Sequence, residues 1–441
     1  MANILIVYYY NQEYPLRATI ADHLYSFQKY AQHNCLYLNV AVRDIPSYLR
    51  KVRIDLIIFH TIFLSARWNR LLFRHVVHKV SALKDVDAVK VALPQDEFLN
   101  TDLLCDFINE FGVDYVFSVA PESEWGKIYS TVDRNKVGFV NALTGYLDTN
   151  MLAKINRLAS SVRSRPIDIG YRAWRGGAWL GRHGFLKAEI SDRFQEKAPA
   201  KGLVTDVSTR AEDTLLGEAW YEFLLRCKYI IGVEGGASIL DRDGSIRERT
   251  EAYVQAHPEA SFDEIERNCF ANLEGSLKLF AISPRHLEAC ATRTCQVLVE
   301  GDYNGILVAG KHYIELKRDF SNLDEVLHTM KQDRLRHEIV EAAFRDCVES
   351  ERYTYKSFVE STIERAFGST ALSRPNDTLP FQSCLISYRF RLADKLSWII
   401  VMFHWYFIMR VKRHFRQKLI DMFSEQTILS LRQRFRGKSE V

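Results

Sequence analysis

Several signatures that would decide a function at a glance are missing from this 441-residue chain. There is no C-x-x-C pair: the eight cysteines, at 35, 105, 227, 269, 290, 295, 347 and 384, are scattered. That spacing argues for reduced thiols in a cytoplasmic protein and against structural zinc. The Gly-x-Gly-x-x-Gly fingerprint of dinucleotide enzymes is missing, which weakens a dehydrogenase reading. The start, "MANILIVYYY", has no basic n-region and no cleavage site, so it reads as a strand rather than a secretory signal. No short-period repeat is visible. The longest apolar stretch, Leu396–Met409, falls short of the about 20 residues a membrane-spanning helix needs.

What is present is ordinary globular material with an uneven charge. Hydrophobic residues make up 47% of the chain, enough for two domain cores. The net charge of +4 divides into +8 for residues 381–441 and −4 for the rest. Short β-rich runs recur in the first third: "NILIVYYY", "CLYLNV", "DLIIFH", "AVKVALP" and "DYVFSVA". Amphipathic stretches such as "ATIADHLYSFQKYA" and "DLLCDFINEFG" lie between them. Alternation of this kind predicts a doubly wound parallel sheet with functional loops at the strand C-termini.

The pattern resumes after "ASSVRSRPID" with "DIGYRAW", "LVTDV", "KYIIGV", "CQVLVE" and "KHYIEL", interrupted by an acidic, helical-looking insert at about 245–275. The expected architecture is α/β: a Rossmann-like domain over 1–155, a second over 156–368, and a basic amphipathic helical tail over 369–441. A cleft between two such domains is the default site. In the tail, Trp398, Trp405 and Tyr406 with basic flanks suit a helix lying among anionic headgroups, which points to a membrane surface bound through 385–418. A helix that merely packs on protein would carry the same residues.

Candidate chemistry gathers in "SPRHLEACATRTCQVLVEGDYNGIL". Ser283 and Pro284 open a helix whose free amides and dipole suit an anion. His286 lies in its first turn as a candidate catalytic group near a pyrophosphate or sugar, and Glu288 stands near Ala289 and Ala291, where a carboxylate suits sugar hydroxyls. In the loop after the next strand, Glu300 and Tyr303 could line a base or sugar pocket, although an ordinary turn explains them as well. In "ALPQDEF", Asp96 and Glu97 end a central strand and face the expected cleft; Asp96 either deprotonates an acceptor hydroxyl or caps a helix. "ILDRDGS" holds Asp241 and Asp243, but Ala252 occupies the twelfth position where a calcium loop needs Glu.

"LEACATRTCQVL" resembles the L-E-A-x-A-x-G-T-P-V-V stretch of GT-B glycosyltransferases, and the similarity extends over about 166–360 to a bacterial glycosyltransferase-like C-terminal domain that includes a spore-protein branch. The resemblance implies that Glu288 holds the nucleotide ribose. Arg293 and Cys295 replace the usual Gly and Pro. It also implies a sugar-facing Glu separated from the ribose Glu by seven residues, a position occupied here by Phe280; Glu234 in "VEGGAS" is the displaced counterpart, unless it only caps a Gly-rich turn. By similarity to the G-R-L…K-G pattern, Arg172 and Lys187 neutralise the leaving diphosphate, with Arg175 and Arg182 as rivals.

The function implied is a metal-independent transfer of a hexosyl or related group from a nucleotide sugar to an acceptor hydroxyl. A membrane-associated or lipid-linked glycan in surface polysaccharide biosynthesis is the expected acceptor. No cofactor beyond the donor substrate, no metal and no nucleic acid partner is expected. The expected location is cytoplasmic, peripheral on the inner face of the cell membrane. A sugar-nucleotide epimerase and a non-catalytic scaffold of the same fold are the alternatives.

Overall fold

A computed structural model describes residues 1–11, 16–47, 49 and 52–368, with twelve single positions between 388 and 414. The first sheet holds β1 (Asn3–Tyr8), β2 (Asn34–Asn39), β3 (Leu56–Phe59), β4 (Val89–Ala92), β5 (Tyr115–Ser118) and β6 (Gly138–Asn141), all parallel, in the order β2-β1-β3-β4-β5-β6. Every residue of β1 and β3 is buried, which is why they read as unbroken apolar runs rather than alternating ones. The strand order reverses between β1 and β3, so their C-terminal ends open a crevice beside Phe59 and His60.

The second sheet repeats the logic with β7 (Ile167–Arg172), β8 (Thr205–Ser208), β9 (Cys227–Gly232), β12 (Cys295–Val299) and β13 (Ile314–Leu316), ordered β13-β12-β9-β7-β8 and again parallel. Its order reverses between β7 and β9, so Arg172 and Gly232 end at the switch point. The two Rossmann-like units are the tandem α/β layout expected from the sequence.

Two features differ from the sequence reading. The segment between β9 and β12 carries a short antiparallel hairpin, β10 (Gly235–Ala237) with β11 (Leu279–Ala281), as well as the helices Ser245–Ala256 and Phe262–Cys269. Gly236 has φ 114°, and a Cβ there would lie 1.8 Å from the Leu279 carbonyl oxygen, so only glycine permits the pairing. The insert docks on the first domain: Ile246, Ile265 and Phe270 share a buried cluster with Phe63 and Leu104. The Asn100 N–H donates to Asp241 O and the Asp241 N–H to Phe98 O, both at 2.8 Å.

The second difference concerns the C-terminal end of the second domain, expected at 368. The helix Tyr355–Phe367, assigned by sequence to the second domain, packs under the first sheet, where Phe358 and Val359 meet Ile4, Ile6 and Phe27. Its entry is pinned by Leu147 N–H to Tyr353 O (2.8 Å) and Tyr355 N–H to Leu147 O (2.9 Å). An amphipathic pattern specifies that a helix buries one face, not which sheet receives it.

The tail expected over 369–441, and its membrane-facing part at 385–418, falls largely outside the described residues. Of the described positions, Tyr388, Leu392, Leu396, Ile399, Ile400, Phe403, Tyr406, Phe407 and Val411 are helical and exposed. Among the described residues no helix is long and apolar enough to cross a membrane.

Candidate active site

The C-terminal ends of both sheets face each other across a cleft of about 960 Å³, reached by the switch point of each sheet. On the second domain, the last residue of β7 supplies Arg172. Its guanidinium is held by Asp206 Oδ1 at 2.6 Å and Asp206 O at 2.8 Å, over the Phe223 ring at 4.4 Å. Its Nε is buried with no hydrogen-bond acceptor among the described residues. Lys187 lies in the helix Gly181–Lys197 and points into the cleft. Burial and then the Arg285 charge lower its pKa, and Asp96 opposes them from the other domain.

The helix Pro284–Ala291 starts at the same place. Arg285 reaches back to the Arg172 carbonyl at 2.9 Å and lies 5.8 Å over Trp220. Glu288 is 5% exposed and accepts the Trp220 indole N–H at 2.8 Å through Oε2. Burial raises its pKa, with Trp220 and Arg285 pulling the other way. Its other oxygen has no hydrogen-bond donor among the described residues and is left for a ligand hydroxyl.

His286 lines the cleft, but its chemistry is set by the helix start. Nδ1 accepts the Ser283 backbone N–H at 3.0 Å and lies 3.0 Å from the Ser283 hydroxyl. Burial pushes its pKa down to about 4. His286 is therefore a neutral capping residue at pH 7, not a cation for the phosphates.

The first domain contributes Asp96 at φ 52° after β4. The fully buried Arg67 clamps this loop by donating to Leu99 O (3.2 Å), Asp96 O (2.6 Å) and Gln95 O. Burial raises the Asp96 pKa, opposed by Arg67, a Trp68 hydrogen bond and Lys187. Asp96 caps no helix; the next helix begins at Thr101 after Asn100. Glu97 does not face the cleft as expected. It is buried beneath, accepting from Ser118 Oγ (2.5 Å), Val119 N–H (2.9 Å) and the Tyr129 hydroxyl.

Asp96, Arg172, Lys187, His286 and Glu288 thus share one cleft, whereas Glu234, Glu300 and Tyr303 do not. Glu234 turns behind the hairpin and accepts the Tyr303 N–H at 2.7 Å. Tyr303 is fully buried, its hydroxyl on Val299 O at 2.6 Å. Glu300 accepts the Arg318 backbone N–H at 3.2 Å. Glu234 lies in the two-residue turn between β9 and β10 and lines a separate cavity behind the hairpin, whereas Val233 and Gly235 line the cleft.

The rival arginines are tied elsewhere, Arg175 to Asp192 at 2.7 Å and Arg182 to Asp263 at 2.8 Å. Asp241 uses its oxygens on the N–H groups of Gly244, Ile246 and Arg247, closing the helix Ser245–Ala256. Sequence reasoning missed Arg285, Trp220 and a buried His23–His60 pair on the first-domain wall. The His23 Nδ1 to His60 Nε2 distance is 2.7 Å. Arg285 was legible in principle, since it precedes His286 in the first turn of the helix already suspected of anion binding.

No protein-family model matches this sequence, and no curated protein does. Among solved structures, the chain resembles in fold Anabaena Alr3699/HepE in complex with UDP-glucose (TM-score 0.44, 11% identity, covering 83% of this chain and 100% of that one). Sucrose-phosphate synthase from Thermosynechococcus elongatus matches with a TM-score of 0.42 at 10% identity, over 83% of this chain and 98% of its own. AviGT4, a glycosyltransferase involved in avilamycin A biosynthesis, gives 0.41 and 10%, over 83% and 97%.

Proposed function

We propose that this protein is a GT-B glycosyltransferase that moves a sugar, hexosyl or related, from a nucleotide-sugar donor to an acceptor hydroxyl without a metal. The observation that carries the reading is the meeting of Arg172, Lys187, Arg285 and the start of the helix Pro284–Ala291 at one switch point, beside the buried Glu288. Three cations and a helix N-terminus suit a diphosphate. A buried carboxylate one turn further along suits the ribose diol.

In this reading the bond between the anomeric carbon and the diphosphate oxygen breaks, and its electron pair goes to the phosphate. Lys187, Arg172 and Arg285 neutralise that charge. The acceptor oxygen forms the new bond to the anomeric carbon and gives its proton to Asp96, whose raised pKa suits a base. The acceptor is a membrane-associated or lipid-linked glycan of surface polysaccharide biosynthesis. The exposed apolar positions from Leu396 to Val411, next to Arg410, Lys412 and Arg413, support a cytoplasmic location on the inner membrane face. Release of nucleoside diphosphate from a panel of nucleotide sugars tests the activity. Wild type is expected to release it and Asp96→Asn to lose most transfer; no release from any donor would remove the enzyme reading and favour a scaffold.

A further inference from the structure

The β10–β11 hairpin has a second face. Alternation along β11 turns Leu279 and Ala281 into the main cleft, while Phe280 and the preceding Lys278 point away from it. Behind them, between the domains, lies a separate cavity of about 370 Å³, within the range of small-molecule pockets. Ser123 and Asn141 reach it from the first domain. Glu234, Asp302, Asn304 and Arg318 reach it from loops that follow β9, β12 and β13.

The floor of this cavity is ordered before any ligand arrives. The Phe280 ring stacks on His183 with centroids 3.8 Å apart, and the Arg318 guanidinium lies 5.6 Å over it. The Asn304 side chain is aimed by accepting the Ile282 N–H at 2.7 Å, leaving its amide N–H groups to donate. Asn141 donates to Ala120 O at 3.0 Å, leaving its carbonyl oxygen to accept. The Lys278 ammonium, the Asp302 carboxylate and the Ser123 hydroxyl have no side-chain partner among the described residues.

The charge on this wall cancels. Lys278 and Arg318 oppose Glu234 and Asp302, so an anion meets two carboxylates and a cation meets two cations. A neutral ligand with an apolar face and a rim of hydroxyls satisfies the ring, the amides and the ions together. We propose that this rear cavity is a saccharide-binding site for a neutral hexose or N-acetylhexosamine unit, separated from the cationic cleft by the hairpin. It is independent of the activity proposed above.

The test is titration of the full chain with glucose, galactose, mannose, N-acetylglucosamine and inorganic phosphate, followed by calorimetry and saturation-transfer NMR. At least one sugar is expected to bind. Asn141→Ala and Lys278→Ala, both at exposed side chains, are each expected to weaken it roughly fivefold, the loss of one net hydrogen bond, with unchanged Tm. Glu288→Gln and saturating uridine diphosphate are expected to leave sugar binding unchanged. Absence of binding by all four sugars, competition by uridine diphosphate, or phosphate binding without sugar binding would each overturn the proposal. Because the nucleotide cleft is read separately, failure here does not touch the transferase reading.

Discussion

The two faces of the β10–β11 hairpin are lined by loops from the same two sheets, yet one is cationic and the other balanced. The front face looks onto Arg172, Lys187 and Arg285 against Asp96 and Glu288, an excess of positive charge around a helix start. On the rear face Lys278 and Arg318 balance Glu234 and Asp302. The difference teaches that strand ends alone do not define a ligand: one residue of alternation on either side of a three-residue strand sends neighbouring side chains to different chemistry.

The most severe way to break this contrast is to remove the wall. Gly236→Ala places a methyl against the Leu279 carbonyl at a φ that disfavours any side chain, so the hairpin cannot pair. A loss of about 3 kcal/mol or more is expected, read as a fall in the denaturation midpoint with both ligand sites impaired. Next in size is the front charge. Lys187→Ala is expected to weaken nucleotide-sugar binding about a hundredfold by calorimetry while leaving rear-site ligands unaffected.

Acid titration sharpens the comparison, because the two faces respond with opposite sign. The folded pKa of His286 is depressed from 6.5 to about 4, so the stability it contributes is present above pH 6.5 and is lost as pH falls toward 4. Wild type should lose its advantage over His286→Asn across that window, by on the order of 1–3 kcal/mol. Behind the hairpin, burial raises the Glu234 carboxyl. Wild type should therefore lose stability relative to Glu234→Gln as pH rises above the ordinary carboxylate range, as followed by thermal melts.

The smallest effect is expected at Arg293. It sits at the position where the family resemblance places glycine, and it adopts φ 50°. Its guanidinium lies 3.5 Å over Phe344 and bonds Glu341 at 2.9 Å. Arg293→Gly relieves the backbone and forfeits those contacts, so Tm should move by no more than about 1 kcal/mol equivalent, with donor affinity unchanged.

The parallel strands were legible because strands buried on both faces write continuous apolar runs, as in "NILIVYYY" and "DLIIFH". Strand β6, "GFVN", was not; it is a partly exposed edge strand without such a run. The hairpin was missed because three residues on each side, Gly-Gly-Ala and Leu-Phe-Ala, carry no period long enough to recognise.

Glu288 in its contiguous motif and Arg172 and Lys187 at a strand–loop–helix junction were readable in the sequence, and the structure brings the three to one cleft. Glu234 stands behind a wall that the long-range pairing of Gly235 with Ala281 creates, while Glu300 accepts the Arg318 N–H and Tyr303 is buried with its hydroxyl on Val299 O, away from the cleft. His286 reads by position as a catalytic candidate near the pyrophosphate or sugar, but its Nδ1 bond to the Ser283 N–H makes it part of the helix start.

The central claim is that the front cleft binds a nucleotide sugar through its cations and Glu288. Titration calorimetry of the full chain against uridine, guanosine, adenosine and thymidine diphosphate sugars tests it most directly, run in parallel on Glu288→Gln. The account predicts that one base is preferred and that the variant binds that donor about tenfold more weakly. No binding of any donor, or binding that Glu288→Gln leaves intact, would contradict it.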